Sequence, residues 1–122
     1  MKLYTGYFAY TRKYIDAGLI PVSIALYTPR WFEGLEFKTV APSNNLLNKY
    51  KKGLISEADF KIEYFSILDS RINLIKSFIY SIPTHRGMIF LCYEKYGDFC
   101  HRHLFAEYLK ERFGIIVEEY QF

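Results

Sequence analysis

The chain has 122 residues, 51% of them apolar and 24% charged, with a formal charge of +3. That length suits one domain, residues 1–122, and the apolar fraction can bury a core, so a disordered chain is excluded. The charge excess is too small for the basic arm of a duplex DNA binder, and the longest near-apolar stretch, Ala17 to Tyr27, falls short of the ~20 residues of a membrane span.

The opening Met1-Lys2-Leu3-Tyr4-Thr5-Gly6 has no apolar signal core and no small-residue cleavage site. A cytoplasmic, reducing location is therefore expected, with Cys92 and Cys100 as thiols rather than a disulfide. Lys2 to Phe8 reads as a strand, and Ala9 to Ala17 as a short helix ending at Gly18. Ile20 to Tyr27 is an apolar run of strand length, as for a strand covered on both faces. Pro29 and Gly34 then mark a loop. Helices are expected from Ser43 to Lys52, ending at Gly53, and from Glu57 to Arg71, with Ser56 and Asp59 as a Ser-x-x-acid start signal. Ile72 to Ile82 continues helical and Pro83 closes it. Met88 to Tyr93 is the clearest buried strand, Asp98 is expected to cap a helix running to Phe113, and Ile115 to Tyr120 reads as a last strand. Strands alternating with helices predict a small Rossmann-like three-layer α/β domain, with a mostly parallel sheet of about four strands.

Both cysteines and two of three histidines fall between Cys92 and Leu109, a strand, a loop and a helix start. In parallel α/β proteins ligands bind at the carboxyl ends of strands, beside helix N-termini whose free N–H groups attract anions. The order of Cys92, Glu94, Cys100, His101 and Arg102, followed by Leu104, Ala106 and Glu107, resembles the family known as domain of unknown function 488. Tyr4-Thr5-Gly6-Tyr7 is similar to that family's opening strand and glycine turn, and Tyr27 to Phe32 to its second-strand loop. The resemblance implies a Rossmann-like fold and a polar pocket, with nucleotide or nucleic-acid ligands. Many members carry Asp-Val-Arg at the end of the second strand, where this chain has Ile24-Ala25-Leu26. An activity resting on that triplet would be lost here or taken over by Arg30.

Near a helix start and beside Arg102, Cys100 is a candidate nucleophile or else an unreactive thiol by a polar pocket. On a helical wheel of about 100° per residue, His101 and Arg102 fall near the core side and Cys100 and His103 away from it. Glu94 and His101 form a candidate acid–base pair or a structural hydrogen bond. Arg102 and Arg30 are the candidate anion binders, with the Arg102 fork expected to reach inward to a ligand or to Glu94. Tyr4, Gly6, Tyr7 and Cys92 are placed around the pocket. Tyr4, Tyr7, Tyr10, Tyr27 and Trp31 would stack on bases or simply pack. The Cys-x7-Cys-x2-His spacing lacks the short ligand pairs of a structural zinc site, and His85 would have to join from elsewhere, so neither metal nor cofactor is expected. The resulting expectation is a pocket that binds or processes a nucleotide-like or phosphorylated small molecule. The alternatives are a binding module for single-stranded or modified nucleic acid and a protein–protein adaptor. Nothing in the sequence sets the oligomeric state.

Overall fold

Two strands pair side by side at the centre of the computed structural model, which describes residues 2–82, 86–93 and 100–122. They are β1 (Lys2–Tyr7) and β4 (Gly87–Cys92), in parallel register from Lys2 opposite Gly87 to Tyr7 opposite Cys92. β2 (Ile20–Ser23) lies along the other side of β4, and β3 (Leu35–Glu36) and β5 (Glu118–Glu119) close the edges. The order is β3-β2-β4-β1-β5, with every pairing parallel.

Side chains of a strand alternate between faces, and β4 uses both. Met88 and Phe90 enter one core, Ile89 and Leu91 the other, and all four are buried. Burial of both Ile89 and Phe90 is what a central parallel strand requires, and the expectation holds. α1 (Thr11–Asp16) covers the Ile89 face through Tyr14. The Phe90 face is covered by α2 (Asn44–Lys51), α3 (Glu57–Ser70), α4 (Ile72–Tyr80) and α5 (His101–Phe113). This is a Rossmann-like three-layer α/β domain. Among the described residues, no helix is long and apolar enough to cross a membrane.

Local signals place several boundaries where the sequence suggests them. Ser56 and Asp59 form a reciprocal capping box at the start of α3, each side chain bonded to the other's backbone N–H. Gly114 ends α5 in the left-handed region, at φ 65°. Other boundaries move. Phe8–Tyr10 forms a 3₁₀ turn before α1, where one short helix from Ala9 is expected. β2 stops at Ser23, not Tyr27: Ile24 N–H still bonds to Leu91, but the chain then bends and the Ser23 hydroxyl lies 2.8 Å from that of Thr28. β3 follows directly on the loop that Pro29 and Gly34 mark, at residues where no element is expected. Asp98, the expected cap of α5, lies outside the described residues; Cys100 is the N-cap, extended at φ −150°, ψ 144°, and α5 begins at His101.

Gly6 sits where β1 passes under Tyr14. A Cβ there would stand 2.7 Å from Ile89 Cδ1 and from the Tyr14 ring, whose hydroxyl accepts from Tyr7 N–H. Gly6→Ala is expected to cost about 1–3 kcal/mol by overpacking, measured by urea unfolding. A variant within about 0.5 kcal/mol of the parent would mean that Tyr14 moves aside freely.

Candidate functional site at the carboxyl edge of the sheet

All strands being parallel, their carboxyl ends share one edge, where Tyr7 pairs with Cys92 and Ser23 with Leu91. α5 begins at that edge, and its N-cap and first two residues supply the chemistry. Cys100 Sγ accepts from the Arg102 backbone N–H at 3.5 Å, satisfying one of the free donors of the helix start. His101 is buried, with Nε2 2.7 Å from the Ile24 carbonyl. A carbonyl only accepts, so Nε2 carries the proton and Nδ1 is left facing Cys100 Sγ at 4.0 Å. Burial pushes the His101 pKa down to about 4, against the Ile24 hydrogen bond and aided by the charges of Arg102 and His103. The ring is therefore neutral at physiological pH. Half-buried His103 is also held below its ordinary value, chiefly by burial.

Arg102 reaches inward as expected and is fully buried. Its Nε and Nη2 donate to Glu119 Oε1 and Oε2 at 3.1 and 2.9 Å, and Thr5 Oγ1 donates to the same carboxylate at 2.7 Å. Nη1 donates to Cys92 Sγ at 3.2 Å. Among the described residues Arg102 pairs with Glu119 of β5; Glu94, the expected partner, lies outside them. Desolvation offsets much of the attraction in such a buried pair, so its clearest effect is to fix β5 and α5 relative to β1.

One expectation is overturned. Cys92 and Cys100 are joined through their sulfurs and are not separate thiols. Cys92 is the last residue of β4 and Cys100 the N-cap of the helix seated over that strand end, so folding closes their separation of eight residues. The helical wheel pointed Cys100 away from the core because it treats the cap as one more helical position. Its extended backbone instead turns the side chain inward, and it is buried.

The pocket at this edge has a volume of about 100 Å³. Cys92 and His101 line it together with Leu26, Tyr27, Lys51 and Tyr93, and the Tyr93 hydroxyl donates to the Tyr27 carbonyl at 2.6 Å. The other expected lining residues are dispersed. Tyr7 lines a separate cleft with Glu119 and Phe122, and Tyr4 lines one at the opposite end of the strands, beside Lys2 and Arg86. Gly6 is buried beneath Tyr14. Arg30 is exposed on the loop after β2 and does not line this pocket. Tyr4 packs edge-on against Tyr120, and Tyr7 against Tyr10. Tyr27 and Trp31 are exposed.

Residues 23–113 match the family model DUF488-N3a, described as the active DUF488-N3 subclade. The chain belongs to this family. The DUF488-N3a match takes in Cys92, Cys100, His101, Arg102 and the Ile24-Ala25-Leu26 stretch, while Tyr4-Thr5-Gly6-Tyr7 falls before it. No curated protein and no solved structure matches the chain. Where many members of the broader family carry Asp-Val-Arg, this DUF488-N3a chain buries Ile24 and Ala25 in the two cores and turns Leu26 to the pocket. Ile24 contributes its carbonyl, the anchor of His101.

Two site residues escaped the sequence reading of this DUF488-N3a chain. Lys51 lies with Lys49 in the last turn of α2, where basic side chains suit the helix dipole, and Lys49 pairs with Glu63 at 2.8 Å. Glu119 looked like an acidic residue on a terminal strand. No local signal distinguishes either, since each acts on groups distant in sequence.

Proposed function

We propose that the chain binds an anionic small molecule, nucleotide-like or otherwise phosphorylated, in the pocket at the carboxyl edge of the sheet. The observation that carries this reading is the meeting of Lys51 with Cys92 and His101 around one cavity at the strand ends and the start of α5. Lys51 supplies a cation and the helix start a partial positive charge, and Tyr27 and Tyr93 offer flat apolar faces to a ring. Arg102, tied to Glu119 across two hydrogen bonds, holds the helix start in place. Arg30 is the further cation available to a ligand longer than the cavity. If the ligand is processed, the candidate nucleophile is the reduced Cys100 thiol, next to the pocket-lining Cys92 and His101, with Nδ1 of His101 as acceptor for its proton.

Calorimetric titration of the reduced chain with a nucleoside, its 5′-monophosphate and inorganic phosphate tests the reading. The monophosphate is expected to bind more tightly than the nucleoside. Lys51→Ala should weaken it about fivefold, roughly 1 kcal/mol for a solvent-exposed charge contact. No saturable binding of either phosphate, or a Lys51→Ala titration identical to the parent, would overturn it. Exposed Tyr27 and Trp31 beside Arg30 favour a second reading, a single-stranded nucleic acid lying across this edge. Oligonucleotide affinity falling steeply with salt, together with no monophosphate binding, would select that one.

A further inference from the structure

We propose that the reduced chain holds one zinc ion between Cys92 Sγ, Cys100 Sγ and Nδ1 of His101. The site goes beyond the anion pocket and stands without it, because the ion needs only these three side chains. Their ligand atoms all lie within 4.8 Å of one another, and all three residues are buried. Donors of a tetrahedral zinc site, with bonds of about 2.0–2.3 Å, stand roughly 3.5–4 Å apart, so small side-chain rotations suffice. Ligand pairs close in sequence are not needed for such a site. The fold instead supplies a strand end, a helix cap and the first helical residue.

Three observations shape these residues as ligands. His101 donates its Nε2 hydrogen to the Ile24 carbonyl, which orients the ring and leaves a lone pair on Nδ1 facing Cys100. Cys92 accepts from the Arg102 guanidinium and Cys100 from the Arg102 backbone N–H, bonds that a metal-bound thiolate also accepts. The Cα atoms of Cys92 and Cys100 stand 7.4 Å apart, wider than the usual disulfide span of about 4.4–6.8 Å. An ion between the sulfurs suits that separation. Charge also balances: two thiolates neutralise a divalent cation, while Glu119 neutralises Arg102. Two sulfurs and one imidazole favour zinc over the oxygen-seeking cations. Cys92 and His101 both line the pocket, so a fourth position would face it and take water or ligand.

Disulfide and ion exclude each other. An external thiol or phosphine reduces the bond, adding two electrons and two protons to give two thiols. Zinc then binds with release of both thiol protons to solvent.

The test uses the full chain reduced with a phosphine, titrated with Zn²⁺ by calorimetry and with Co²⁺ as spectroscopic probe. One ion per chain is expected, with thiolate-to-cobalt charge-transfer absorption and a tetrahedral pattern of d–d bands. Cys100→Ser and His101→Ala should each weaken zinc by at least about tenfold, the loss that even an outer-shell change brings. His103→Ala, outside the cluster, should leave affinity unchanged. Should a cluster variant fail to fold, alkylation of the unmodified chain decides: zinc is expected to protect both cysteines from N-ethylmaleimide. A folded, reduced chain that takes up no ion, cobalt spectra without thiolate bands, or zinc that leaves alkylation unslowed would overturn the site. Loss of zinc on His103→Ala equal to that on His101→Ala would also overturn it.

Discussion

Replacing Arg102 by alanine is expected to lower the unfolding free energy by about 3–5 kcal/mol, the usual cost of breaking a buried pair from one side. The guanidinium is fully buried and spends two donors on Glu119 and a third on Cys92. The Glu119 carboxylate is itself only 12% exposed, so removing Arg102 strands a negative charge that keeps, among the described residues, the Thr5 hydroxyl as side-chain donor. A fall in melting temperature of roughly 10–20 °C should accompany the loss. Arg102→Lys keeps the charge but not the planar fork, so part of that loss is expected. Arg102→Met combined with Glu119→Leu should recover most of the stability, since a buried pair exchanged for apolar groups is often neutral. Urea unfolding of the four proteins measures all of this. An Arg102→Ala loss below about 1 kcal/mol would show that the pair contributes little to the fold. Monophosphate affinity lost on Arg102→Lys at unchanged melting temperature would instead show that Arg102 meets the ligand.

Phe90→Ala is expected to cost a similar amount, about 3–5 kcal/mol, by a different mechanism. Phe90 occupies the middle of the central strand with no exposed surface, 5.2 Å and nearly perpendicular to Phe105 of α5, and 6.5 Å from Phe78 of α4. Truncation leaves a cavity that helices held by several other contacts cannot close. The ring also seats α5 on β4, so α5 amides should exchange faster in the variant. Ile62→Ala, at a position 69% exposed on α3, serves as control and should stay within about 0.5 kcal/mol of the parent. Equal losses at the two positions would contradict the assigned layers.

The residues themselves announce much of the architecture. The apolar run from Met88 to Tyr93 marks a strand buried on both faces, one residue out of step with β4 at Gly87–Cys92; Ser56 with Asp59 marks where α3 starts, and Gly114 where α5 stops. Each signal is local, because a cap, a left-handed turn and a run of apolar side chains act within a few residues. The cysteines, His101 and Arg102 also stand out, being chemically distinctive and close in sequence.

What those residues do is decided by elements brought from elsewhere. β3 is two exposed residues with no strand pattern, a strand only because it pairs with β2. Thr5 and Glu119 are 114 residues apart, and they meet because β5 pairs with β1, which also delivers Glu119 to Arg102. Lys51 reaches the pocket through the packing of α2, and His101 finds its acceptor 77 residues away at Ile24. Cys92 and Cys100 become neighbours because the first turn of α5 rests on the end of β4. Periodicity in a sequence reports which face of an element is buried. The register of parallel strands and the seating of helices on them determine which side chains then share one small volume.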